Sequence, residues 1–245
     1  MIKETISKIV RATYLIPFFG TVIRGYVQKI RSKRDHYQDQ AYWNESLNGW
    51  ASTYLGGTFW NDLRNSVTVE LAKHVAPSAT SILDIGCAGA TLALALDSKY
   101  SVYYGVDISD IAISKAQETL TASSMSQEID FSFQLSVSTV QDYKPNRKFD
   151  VIVFNEVLYY LTLNEVANCM RRYSTFLSDN GVILISLKDH EMCRPVQTVI
   201  SKEIVFLHAV LFQNKSLPSW KIIKNAENPG CLIQAFRAKG SNQVP

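Results

Sequence analysis

The sequence has no C-x-x-C pair, no H-E-x-x-H string and no Cys/His set at metal-ligand spacing. Its cysteines stand apart at 87, 169, 193 and 231, and its histidines at 36, 74, 190 and 208. A disulfide frame and a zinc site are therefore not expected, no metal is assigned, and a reducing cytoplasm is the expected home. Glycine and proline are sparse, 11 and 7 of 245 residues, which excludes collagen-like and low-complexity chains. Long apolar runs are missing too. The uncharged stretch over 12–23, ATYLIPFFGTVI, falls short of the roughly 20 residues needed to cross a bilayer and is broken by Pro17 and Gly20. A basic cluster follows it instead of a small-residue cleavage site, so export is not expected either. What remains is 47% apolar and 19% charged, enough to bury a core without staples.

Charge is unevenly placed. Residues 1–36 carry eight Lys and Arg against Glu4 and Asp35, while the whole chain has a net charge of +3, so the remainder is net negative by three. Two readings of this head stand side by side. In one, Leu15, Ile16, Phe18 and Phe19 sink into a membrane surface while Lys29, Arg31, Lys33 and Arg34 meet anionic head groups. In the other, the apolar residues pack on the domain or a second subunit and the basic residues face solvent. Monomer and homodimer both remain open. An aromatic-rich stretch follows over 37–60, with Trp43, Trp50, Tyr54 and Trp60 as a candidate cover for a site. The division expected is a basic, aromatic, helical appendage over 1–60 and one catalytic domain over 61–245.

Beyond the appendage, strands and helices alternate. A helix is expected over 60–76, where Leu63, Val67, Leu71 and Val75 recur every four residues and Pro77 ends it. Strands are expected at 81–85, 102–106, 130–135, 149–155 and 181–187, with helices at 91–96, 111–120 and 163–177. The β-α-β-α order predicts an α/β fold with a doubly wound parallel sheet, and the near-continuous apolar runs of the fourth and fifth strands suit burial on both faces. A helical stretch over 196–212 and two strand-like segments, 220–223 and 231–238, joined by E-N-P-G, predict a closing antiparallel hairpin.

In such sheets ligands bind beyond the carboxyl ends of the strands, where the strand order reverses. There the sequence places Asp84-Ile85-Gly86-Cys87-Ala88-Gly89-Ala90 after the first strand and Asp107 at the tip of the second. Small residues in the turn admit a ligand close to the backbone, and a carboxylate at the next tip accepts hydrogen bonds from both hydroxyls of a ribose. A dinucleotide fold needs G-x-G-x-x-G facing a diphosphate. Here the string reads Gly86-x-Ala88-x-x-Thr91, and Asp84 adds a negative charge that suits a ligand with a cationic end.

With these residues the chain resembles the class I S-adenosylmethionine-dependent methyltransferases, whose first motif is matched over 82–90 with Ala88 and Ala90 in place of two glycines. The resemblance spans roughly residues 73–239. It implies a Rossmann-like, seven-stranded, mostly parallel sheet and S-adenosylmethionine as cofactor, with Asp84, Gly86, Cys87, Ala88, Asp107 and Ile108 as binding residues. The family's G-D-x element after the third strand is nearest at 138–143, which assigns Thr139, where the family has an acid, and Val140 to the adenine, with Asp142 as a stand-in acid. FDVIVFNEVLYYL over 149–161 is similar to the strand-four string of small-molecule methyltransferases of the nodulation protein S group, which N-methylate a sugar amine. By that likeness Asn155 and Glu156 sit beside the methyl group, and Tyr159 and Tyr160 face the substrate.

Methyl transfer is an in-line displacement, so positioning outweighs any single base. Glu156 and His190, three residues past the fifth strand, are the candidate catalytic residues. Arg64 is a candidate for the methionine carboxylate. The function expected is methylation of a hydroxyl or amine on a small molecule, with a sugar or lipid-linked saccharide as one acceptor. Two alternatives stand: a catalytically degenerate binding protein, and an NAD(P)-dependent oxidoreductase. Nucleic acid is not an expected partner, because the catalytic part is net negative, has no basic patch interleaved with aromatics and lacks the N/D-P-P-Y string.

Overall fold

Ile82 and Leu83 are neighbours on one strand, so their side chains leave opposite faces, yet both are buried. A sheet with such strands must be covered on both sides. That is the arrangement in the structure, a computed structural model that describes residues 39–45, 59–188, 193–212 and 231–239, all within the unit Tyr37–Pro245. The strands are β1 (Ser81–Ile85), β2 (Val102–Asp107), β3 (Ser132–Val137), β4 (Phe149–Asn155), β5 (Leu177–Lys188), β6 (Val205–Phe212) and β7 (Cys231–Arg237). They form one seven-stranded sheet in the order β3-β2-β1-β4-β5-β7-β6. The pairs β1/β2, β2/β3, β1/β4 and β4/β5 are parallel, and β7 runs antiparallel to both β5 and β6.

Four helices flank it among the described residues: α1 (Phe59–Val75), α2 (Asp110–Met125), α3 (Leu163–Ser174) and α4 (Arg194–Glu203). Val69 and Ala72 of α1, with Ala116 and Leu120 of α2, cover Ile82, Val151 and Leu184 on one face. Val166 and Met170 of α3, with Val196 and Ile200 of α4, cover Leu83, Ile152 and Ile185 on the other. Two helix starts are fixed locally. Ser109 accepts a hydrogen bond from the Ala112 N–H at the head of α2, and Thr162 and Glu165 form a reciprocal capping box on α3.

The expected strands 81–85 and 149–155 match β1 and β4, and the seven-stranded, mostly parallel sheet is present. Three local expectations need correction. The helix expected over 91–96 is only a 3-10 turn, Ala93–Ala95, because the chain must turn back into β2 within a few residues, too short a span for an α-helix. The helical stretch expected over 196–212 ends at Glu203, and Val205–Phe212 is the edge strand β6. VFLHAVLF is an apolar run whose periodicity does not distinguish helix from strand, and pairing with β7 decides it. The antiparallel pair that closes the sheet is β6 with β7; the strand-like segment expected at 220–223, the E-N-P-G turn and the basic head 1–36 lie outside the described residues. On α1 the helix is as expected but its buried side is rotated: Asn65, Thr68, Val69, Leu71 and Ala72 are buried, while Val67 and Val75 are only partly so. No described helix is long and apolar enough to cross a membrane.

At the amino-terminal end of β1 and β4, opposite the ligand side, Asp150 acts as a clasp. One carboxylate oxygen accepts from the Thr80 N–H at 2.9 Å, the Ser81 N–H at 3.1 Å and the Ser81 hydroxyl at 2.9 Å, and the other accepts from Ser178 at 2.7 Å. Burial works to raise its pKa, but the bonds from Thr80, Ser178 and Ser81 outweigh it and hold the group below its ordinary value. Asp150→Ala is expected to lower the unfolding free energy in urea by about 2 kcal/mol at pH 7. This contribution is present above the ordinary carboxylate value and is lost as the pH falls through the depressed folded value. The wild-type and variant curves should therefore converge in acid, and equal stability at pH 7 would refute the clasp.

Candidate functional site

β1 and β4 lie side by side, but their neighbours β2 and β5 lead away in opposite directions, so the connections at their carboxyl ends diverge and open a cleft. Its walls are the turn after β1, the tip of β2, residues 138–141 after β3 and residues 155–161 after β4, completed by Arg64, Asn65 and Trp43. Asp84, Gly86, Cys87, Ala88, Asp107, Ile108, Thr139, Val140, Asn155, Glu156, Tyr159 and Tyr160 all line this one cleft. His190 lies outside the described residues, as do Trp50, Tyr54 and the side chain of Trp60. Trp43 is thus the described member of the expected aromatic cover.

The turn after β1 demands an unusual backbone. Gly86 has φ of +75°, and a Cβ there would come within 2.8 Å of Val157 Cγ2. Ala88 and Ala90, where the resemblance has glycines, keep positive φ of 46° and 56°, a conformation that costs an L-residue about 1–2 kcal/mol. Their methyl groups have places of their own: Ala90 is buried in the core with Leu92 and Ala93, and Ala88 packs on Ala112. The two substitutions therefore leave the cleft open.

Asp107 ties this turn to the tip of β2. One oxygen accepts the Ala88 N–H at 3.0 Å and the other the Ser109 N–H at 2.9 Å. Burial raises its pKa, while backbone N–H groups of Ser109, Ala88 and Ile108 oppose the rise. Each carboxylate oxygen retains acceptor capacity for a ligand hydroxyl.

Deeper in, Asp84 accepts the Tyr103 hydroxyl at 2.9 Å through one oxygen, and its other oxygen is buried without a partner. Burial pushes its pKa up to about 7, against the pull of the Tyr103 bond and the Arg64 charge and with a push from Asp107. Arg64 Nε and Asn155 Oδ1 are also buried without partners. Buried polar atoms are nearly always hydrogen-bonded, so three orphans on one cleft mark a place for a polar ligand.

At the tip of β4 Glu156 sits at φ of +58°. For a glutamate this is a strained backbone of the kind that collects at functional sites. Its carboxylate accepts the Tyr159 hydroxyl at 3.1 Å and the Ser186 hydroxyl at 3.4 Å, and its N–H donates to the Ser186 hydroxyl. Burial drives the Tyr159 phenol far above its ordinary pKa, so it remains a protonated donor. The Tyr159 and Tyr160 rings are 4.5 Å apart, and the edge-packed Trp43 ring is 4.8 Å from Tyr160. The helical segment 40–45 that carries Trp43 is tied down by Asn44, which donates to Asp110 and accepts from Ser109, each at 2.6 Å.

Thr139 turns away from the role its position implies: its hydroxyl donates to Asp142 at 2.6 Å and accepts the Asp142 N–H at 3.0 Å. Asp142 is exposed and does not line the cleft, so it does not stand in for the missing acid. Sequence reasoning missed Asn65, which is buried and donates to Thr91 at 3.0 Å, and Gln141. The available signal was a polar pair, Asn65 and Thr68, one helical turn apart on α1.

A family described as "methyltransferase domain" matches residues 59–237, well over half of the chain. A search of curated proteins gave no match. Among solved structures, N-methyltransferase NodS from Bradyrhizobium japonicum WM9 in complex with S-adenosyl-l-homocysteine is 18% identical with a TM-score of 0.63, covering 80% of this chain and 98% of that one. Magnesium protoporphyrin IX methyltransferase (ChlM) from Synechocystis PCC 6803 with bound SAH is 13% identical with a TM-score of 0.62, covering 84% and 100%. The [4+2]-cyclase SpnF is 12% identical with a TM-score of 0.63, covering 82% and 96%. At these identities the likeness is one of fold.

The Asp84 environment sets a measurable pH dependence. A buried acid with a raised folded pKa contributes stability in full below its ordinary value near 3.8, and that contribution is lost as the pH climbs to about 7. Asp84→Asn keeps an acceptor for Tyr103 and removes the titration. Between pH 5 and pH 8 the variant should gain about 2–3 kcal/mol on the ligand-free wild type in urea unfolding. Parallel pH profiles for the two proteins would contradict the assignment.

Proposed function

The chain belongs to the methyltransferase domain family, and from that premise we propose that it moves the methyl group of S-adenosylmethionine to an amine of a small molecule. The cleft fits this cofactor. Its unpartnered Asp84 oxygen suits the α-ammonium group, Arg64 suits the carboxylate, and Asp107 offers free lone pairs to a ribose. When bound, the cofactor supplies an electrophilic methyl group on a cationic sulfur.

The observation that carries the amine reading is Glu156. A carboxylate held by Tyr159 and Ser186 in an aromatic wall draws in an ammonium by charge and by the ring faces of Tyr159, Tyr160 and Trp43, each good ring contact being worth about 0.5–2 kcal/mol. The bound ammonium loses one proton to water and reacts as the neutral amine. The same carboxylate orients the lone pair so freed, and as the N–CH3 bond forms and the S–CH3 bond breaks, leaving S-adenosylhomocysteine, it accepts the proton that the new methylammonium gives up. Since aligning two bound reactants can supply about 7–11 kcal/mol of the barrier, Glu156 acts first as an orienting group and second as a base. An amino sugar is one acceptor of this kind. His190, the other expected base, lies outside the described residues, and so does the head 1–36, for which membrane contact is one of two readings.

Isothermal titration with S-adenosylhomocysteine tests the cofactor half. Wild type should bind, and Asp107→Ala should bind at least about tenfold more weakly, since both a ligand contact and the anchor of the Ala88 turn are lost. Absence of binding to the wild type overturns the cofactor assignment. The acceptor half is tested with label from radioactive S-adenosylmethionine offered to amine-bearing and hydroxyl-only sugars. Label should enter the amines and fall at least about a hundredfold in Glu156→Gln, which should still bind S-adenosylhomocysteine. Labelling of hydroxyl-only acceptors alone would refute the amine.

A further inference from the structure

The segment 138–141 forms one wall of the cleft, and none of its side chains is acidic. Thr139, at the position where the resemblance has an acid, is closed on Asp142. The shape of this wall is set from behind, by α3. The Arg172 guanidinium forks onto the carbonyls of Gln141 and Tyr143. Its neighbour Tyr173 donates its hydroxyl to the carbonyl of Val140 at 2.8 Å, and Glu165 accepts the Gln141 side-chain amide at 3.2 Å. The chain around the wall has trans peptides throughout. In a trans peptide the carbonyl of one residue and the N–H of the next point in opposite directions. With the Val140 carbonyl drawn toward α3, the Gln141 N–H is turned away from it, on a residue that lines the cleft.

We infer that Arg172, assisted by Tyr173, is a positioning residue for the nucleoside end of the cofactor. By gripping carbonyls of the 138–143 segment it presents that segment's backbone to the base, and so replaces recognition by an acidic side chain. The inference rests on the proposed cofactor. Arg172 touches the wall and not the ligand. A planar fork that bonds two carbonyls at once fixes both peptide planes, which a point charge cannot do.

The test uses the full chain, S-adenosylhomocysteine as probe and titration well below the melting temperature. Arg172→Met should weaken binding about tenfold, and Arg172→Lys should fall between it and wild type. Arg171→Met is the control: Arg171 is the adjacent residue of α3 and pairs with Glu203 at 2.8 Å, away from the wall. It should bind as wild type does. A purely structural role for Arg172 would lower the melting temperature and leave the affinity of the folded protein unchanged, and that result overturns the inference. So does an equal loss in Arg171→Met. If Arg172→Met does not fold, Tyr173→Phe carries the test, since it keeps the ring and removes only the bond to Val140. A loss of about threefold is expected, and unchanged affinity overturns the inference. Failure of the wild type to bind overturns the cofactor reading and this inference together, whereas binding by the wild type with no loss in the variants overturns the inference alone.

Discussion

The bond from the Ala88 N–H to the Asp107 carboxylate joins two loops that separate strands have brought together. It holds Ala88 at positive φ, in a turn that is also kept in place by bonds from the Gly86 and Cys87 N–H groups to the Val106 carbonyl. The same carboxylate also accepts from Ser109, whose side chain caps α2 and donates to Asn44. One acid thus sets the shape of the turn, the start of a helix and the anchorage of the segment carrying Trp43. A carboxylate can do all this and still receive a ligand because its two oxygens offer about four acceptor sites.

Strain follows the same geography. Among the described residues the positive-φ positions other than glycine are Ala88, Ala90, Gln127 and Glu156. Gln127 follows the end of α2, where such a conformation is ordinary. Ala88 and Glu156 line the cleft, and Ala90 belongs to the same turn as Ala88. Backbone strain of about 1–3 kcal/mol per residue persists only where the surroundings over-determine it: Ala90 by its buried methyl, Ala88 by Asp107, and Glu156 by Ser186 and Tyr159.

What the sequence made legible follows from which signals are local. β1 and β4 carry their own boundaries, with apolar runs ending in Asp84-Ile85-Gly86 and Asn155-Glu156, and the cleft residues sit at those ends. β6 was not legible, because VFLHAVLF has no period that separates helix from strand and its identity depends on β7, some twenty residues away. The rotation of α1 was hidden for a related reason. Small or polar residues, Asn65, Thr68 and Ala72, are buried while the apolar Val67 and Val75 are only partly so, and only tertiary partners such as Thr91, which accepts from Asn65, show why. The grip of Arg172 on the 138–143 segment joins positions about thirty residues apart, and no spacing rule announces it.

Fold alone does not choose the chemistry, since a [4+2]-cyclase shares it. Two features of this cleft separate an adenosyl sulfonium from a dinucleotide. The first is charge. The ionisable carboxylates and cations lining it are Asp84, Asp107 and Glu156 against Arg64, so a diphosphate would meet a surplus of negative groups, while a sulfonium with an ammonium would be drawn in. The second is the helix that is absent after the turn. Diphosphate recognition relies on the N–H groups and dipole of a helix that begins directly after the glycine turn. Here that place is taken by the 3-10 turn Ala93–Ala95, which is too short to supply them. With Asp84 in β1 and Asp107 at the tip of β2 flanking the turn, and only a 3-10 turn behind it, the cleft lacks the means of holding two phosphates, and what it offers is complementary to a nucleoside with a cationic tail.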